Sequence, residues 1–103
     1  MSVPQYTTPT FRLTFADPEL DLTQAAAVYV TFRTAGTKIT KTGEDLTVSE
    51  HEIDVRLTQA ETGLMRPGLV AIQANWITAA GDRAASCIAH VNIGEQLLKE
   101  VIT

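Results

Sequence analysis

The chain holds few groups that can do chemistry by themselves. His51 stands between Glu50 and Glu52, and an imidazole flanked by carboxylates is the start of a metal site or of an acid–base pair. Neighbours in an extended segment point to opposite faces. The three groups therefore do not converge, and the stretch reads as a solvated turn. Cys87 has His90 three positions on. An odd number of steps along a strand sets the two on opposite faces, so the thiol has no base to lower its pKa. Between Ala85 and Ala89 it reads as a small core hydrophobe. Asp17, Glu19 and Asp21 alternate through one loop, which offers the oxygen ligands that calcium takes. The run lacks the glycine and terminal glutamate of a calcium-binding loop and reads as a polar connection. Ser49 and Ser86 have no nucleophile elbow around them. GxGxxG, GxxxxGK[ST] and CxxC do not occur, which removes support for nucleotide and zinc sites. The expectation is no catalytic residue, no metal and no cofactor.

Three aromatic residues could serve as ligand platforms. Trp76 shares a strand face with Val70 and Ile72, so it belongs to a core. Tyr29, beside Arg33 on a wetter face, is the better contact residue. Tyr6 or Tyr29, if exposed, would suit a carbohydrate-binding module, the alternative to a protein-binding one.

Composition narrows the classes further. With 103 residues, 45% hydrophobic and 19% charged, the chain is one globular domain spanning 1–103. Its net charge of −4 argues against nucleic acid as a partner. No apolar run is long enough to cross a membrane, and residues 1–10 lack the basic start and apolar core of a secretory signal. A single cysteine excludes an internal disulfide framework.

The elements that must position these side chains are strands. Threonine is frequent, and turn signals recur at short intervals, from Asp17-Pro18 through Ala35-Gly36 and Pro67-Gly68 to Gly81-Asp82. Strands are predicted over 10–15, 26–34, 37–42, 46–48 and 52–57, with apolar residues two apart in all but 37–42, where Ile39 alone faces inward. Thr58 with Glu61 resembles a capping box, which predicts one helical turn over 58–65 that carries the chain from one sheet to the other. Two long strands follow, 69–79 and 83–93. The expected fold is all-β: an antiparallel β-sandwich of seven or eight strands, immunoglobulin-like in outline. The expected core is Phe11, Leu13, Val30, Phe32, Ile53, Val55, Leu57, Val70, Ile72, Trp76, Cys87, Val91 and Ile93.

The second face of the last hairpin is not wholly polar. Leu69, Ala71, Ile77, Ala84 and Ile88, with Tyr29 from the earlier strand, form the candidate interaction surface. Either the C-terminal segment, with Leu97, Leu98, Val101 and Ile102 at helical spacing, covers that face, or another subunit does.

Certain stretches carry a resemblance. They are 27–32 (AVYVTF), 39–41 (ITK), 53–62 (IDVRLTQAET), 74–77 (ANWI) and 81–86 (GDRAAS). Together they resemble small proteins encoded in phages and prophages of Gram-positive bacteria. More weakly, they resemble the N-terminal β-sandwich domains of phage baseplate upper proteins. The resemblance implies a non-enzymatic structural or protein-interaction module of a phage tail or baseplate. Its partners would be other phage structural proteins or further copies of itself. It would reside in the host cytoplasm during assembly, or in the virion. It transfers no catalytic residue.

Overall fold

The computed structural model describes residues 2–102. Among these residues nine strands, where seven or eight are expected, and one short α-helix run in the order β1 (Ser2–Pro4), β2 (Thr10–Thr14), β3 (Ala27–Thr34), β4 (Thr37–Thr42), β5 (Leu46–Val48), β6 (Glu52–Arg56), α1 (Gln59–Leu64), β7 (Gly68–Ile77), β8 (Arg83–Ala85) and β9 (Ala89–Gly94), with single 3-10 turns at Leu22–Gln24 and Gly43–Asp45. The fold is all-β, as the alternation predicts. The larger sheet has the order β1-β9-β7-β3-β4, with β8 also on β7; the smaller has the order β2-β6-β5. Every pairing is antiparallel except β1 with β9, which is parallel.

Two-residue periodicity gives each sheet one apolar side. On the larger sheet Val28 pairs with Trp76, Val30 with Ala74 and Phe32 with Ile72. On the smaller, Phe11 pairs with Val55 and Leu13 with Ile53. These sides meet. Phe11 packs on Phe32 with ring centroids 5.5 Å apart, and Phe15 meets Trp76 edge-on at 5.6 Å. Nine of the thirteen expected core residues are buried; Phe11, Leu13 and Val91 are partly buried against them. Leu22, Leu46, Met65 and Ala74 complete the core.

Two tight places fix the chain path. Ala35-Gly36 joins β3 to β4, and Gly36 has φ +78, which a residue with a Cβ adopts only under strain. At Gly63 in α1, a Cβ would lie 2.3 Å from the Tyr6 ring, so glycine is what lets that ring pack on the helix.

Three expectations need correction. The stretch 83–93 is not one strand. From Asn75↔Ala85 to Ile72↔Ala89, β7 advances three residues while its partner advances four. That extra residue is a bulge at Cys87 and Ile88, opposite Gln73. Ser86 pins it: its N–H donates to the Ala74 carbonyl (2.9 Å) and its Oγ accepts from Ala74 N–H (3.0 Å). Counting by twos across the bulge changes face, so Cys87 is exposed, not core. For the same reason Ala84 faces inward: it pairs with Trp76 and packs on the core. The C-terminal segment forms no helix over 95–102, as its length leads one to expect, since eight residues are marginal as a helix without packing.

Candidate functional site: the outward face of the larger sheet

The side chains left on the outward side of β3, β4, β7, β8 and β9 are a mixture. Register places Tyr29 beside Asn75, Thr31 beside Gln73, and Arg33 beside Ala71. Across the next ladder Arg33 stands opposite Lys38, and Thr31 opposite Thr40. Ile77 pairs with Arg83, Ala71 with His90, and Leu69 with Asn92. Leu69 is 63% exposed, Ile88 51% and Tyr29 37%. Of the six residues expected to form an interaction surface, five therefore share this face or its bulge. Ala84 alone turns away.

Ile88 reaches the face because of the bulge. It walls a shallow hollow of about 160 Å³ whose other sides are Thr31, Arg33, Lys38, Ala71 and Gln73. A second hollow lies toward the other end, bordered by Tyr29, Thr31, Thr40, Asn75, Ile77 and Arg83. A third, by Leu69, Ala71 and His90, continues past Arg33.

The electrostatics are one-sided. Arg33, Lys38 and Arg83 all stand on this face, and its strand positions carry no carboxylate. Arg83 donates to the Asn75 amide oxygen at 3.2 Å. Among the described residues, none of the three cations has an ion-pair partner. Sequence reasoning found Tyr29, Leu69 and Ile77 but missed the cation pair. Arg33 and Lys38 are neighbours only through the β3–β4 register. Their signal was the two-residue turn at Ala35-Gly36, which fixes that register.

The chemically suggestive groups of the sequence serve the backbone. Asp17 accepts from Glu19 N–H (3.0 Å) and Asp21 from Thr23 N–H (3.0 Å), so both carboxylates hold turns. His51 approaches Glu50 at only 4.0 Å. Among the described residues, no three histidine, cysteine or acidic side chains are grouped to hold a metal ion.

A buried ion pair joins helix and sheet. Lys41 is buried in β4, and its Nζ lies 2.7 Å from Glu61 Oε1 in α1. The same carboxylate accepts the Thr58 N–H at 2.8 Å and so closes the expected capping box. Burial pushes the Glu61 carboxyl up, but Lys41 and the Thr58 donors outweigh it and hold the group below its ordinary value. This pair ties α1 to the sheet; it is not placed on the outward face. No protein-family model and no curated protein matches the chain.

Proposed function

We propose that the chain is a non-enzymatic structural and protein-interaction module, and that it docks through the outward face of its larger sheet. One observation carries this reading. The face combines exposed apolar side chains with three cations and no carboxylate, on a chain whose net charge is −4. A face meant only for water has no use for that combination. The tail or baseplate setting rests on the resemblance of 27–32, 53–62 and 74–77 to phage and prophage proteins.

The finer fold reading is an immunoglobulin-like sandwich. Supporting it are an edge strand parallel to the last strand, a five-strand path in one layer facing three strands in the other, and a helical turn before β7.

A photo-cross-linking side chain at Tyr29, against one at Thr47 on the smaller sheet, tests the docking face. In cells that carry the phage genes, adducts are expected from position 29 and not from 47. Equal yields from both would overturn the reading. Carbohydrate binding has one specific point in its favour: Tyr29 borders a hollow that also offers Thr31, Thr40, Asn75 and Arg83. A glycan array without signal removes it.

A further inference from the structure

The exposed apolar side chains are not scattered. Eight large ones stand out from the described surface. Tyr29, Leu69 and Ile88 belong to the outward face. Leu97, Leu98, Val101 and Ile102 belong to the segment after β9; only Leu64 lies elsewhere.

That segment is held at two points. Gln96 Nε2 donates to the Gln5 carbonyl at 3.4 Å. The Gln59 amide takes both backbone groups of Ile102, donating to its carbonyl and accepting from its N–H, each at 2.8 Å. Between these anchors Leu97 is 94% exposed. The result is an apolar knob flanked by Glu95 and Glu100. Glu95 spends part of its charge on Lys99 at 3.4 Å, but both side chains are more than half exposed, so the pair is weak. Val101 and Ile102 border a hollow with Lys41 of β4 and Arg56 of β6, away from the outward face.

Knob and face are complementary in both respects. The knob brings aliphatic side chains between carboxylates; the face brings aliphatic side chains between cations. Because they are different patches of one surface, their union is heterologous. A symmetric pairing of two outward faces would instead set Arg33, Lys38 and Arg83 against their own copies, which like-charge repulsion opposes.

We infer that the segment 95–102 of one copy docks on the outward face of a second copy, with Glu95 and Glu100 meeting its cations, Arg33 and Lys38 toward one end and Arg83 toward the other. This rests on the reading of that face as a docking surface and names its occupant.

Sedimentation velocity on the full chain, at rising concentration and low salt, tests it. The unaltered chain associates. R33E/K38E and E95K/E100K each weaken association roughly tenfold or more, while circular dichroism melts stay cooperative, since all four positions are exposed. Combining the four substitutions in one chain restores association. A chain that stays monomeric throughout, or a combined variant that stays as dispersed as its parents, overturns the inference. Cross-links from Tyr29 to a different protein would still uphold the docking face in that case, so the two failures are distinguishable.

Discussion

The two sheets turn very different faces to water. On the smaller, Arg12 sits opposite Asp54 and grips it with both arms of its guanidinium, Nε to Oδ1 at 2.9 Å and Nη2 to Oδ2 at 3.1 Å. Glu52 lies 3.7 Å away on the same side. Hydrogen bonding to Arg12, then its charge, hold the Asp54 carboxyl below its usual range, and the same contacts raise Arg12. Its strand positions expose no large apolar side chain. On the larger sheet, the equivalent cross-strand position sets Arg33 against Lys38. Opposite charges across a ladder stabilise it and like charges do the reverse. One face is closed on itself; the other carries a small internal cost that a partner's carboxylate would relieve.

Stability should reside on the inner sides of the sheets and be nearly absent from the outward one. Trp76→Ala should cost about 3–5 kcal/mol, because it empties the space beside Phe15, Val28 and Ala84. Leu69→Ala lies on the same strand but is 63% exposed, and should stay within about 0.5 kcal/mol. Urea unfolding of both variants measures the gap. Similar losses would mean that the outward face is already packed against something.

Much of this layering was legible in the sequence. Phe11 and Leu13, Val30 and Phe32, and Ile53 and Val55 keep strict two-residue spacing between clear turn signals, and each pair reaches the core. Alternation fails where the count is interrupted. The bulge at Cys87 and Ile88 adds one residue that no spacing announces, so Cys87 and Ala84 exchange faces with their expected positions. β1 is three residues long and pairs with β9 at the far end of the chain, beyond the reach of local pattern. Lys41 shares the inward side of β4 with Ile39, but its partner could not be read from spacing, because only the folded chain brings Glu61 to it. The cation pair on the candidate face was hidden for the same reason, since register had to exist before the two charges became neighbours.

Lys41 is a middle case, a charge inside the layer but paired. Lys41→Met removes the ammonium and leaves the half-buried Glu61 carboxylate to the Thr58 donors, so it should cost roughly 1–2 kcal/mol. The depressed Glu61 carboxyl gives this site a pH signature of known sign. A group whose folded pKa lies below its unfolded one stabilises the fold above the unfolded value, and loses that contribution as pH falls through the folded one. The stability gap between the unaltered chain and Glu61→Gln should therefore be widest near neutrality and shrink once the pH drops below about 4.5. Urea midpoints at neutral and acid pH measure it, and a gap that does not change with pH would show that the carboxylate charge contributes nothing here.

The smallest effects discriminate best between the two outward faces, because they differ in sign. Asp54→Asn breaks the Arg12 grip and should lower the melting temperature slightly. Lys38→Glu converts the Arg33–Lys38 clash into a pair and should raise it slightly, since lysine and glutamate suit strands about equally. Both shifts should fade in molar salt, where charges this exposed are screened within a few ångströms. Calorimetry at low and high salt reads all four numbers. Two shifts of the same sign would mean that the faces are electrostatically alike and that the cations of the larger sheet signify nothing. Opposite signs, joined to a weaker association of the same Lys38→Glu variant in sedimentation, would carry a stronger implication. A residue whose replacement improves the monomer and harms the assembly has its favourable interactions outside the monomer.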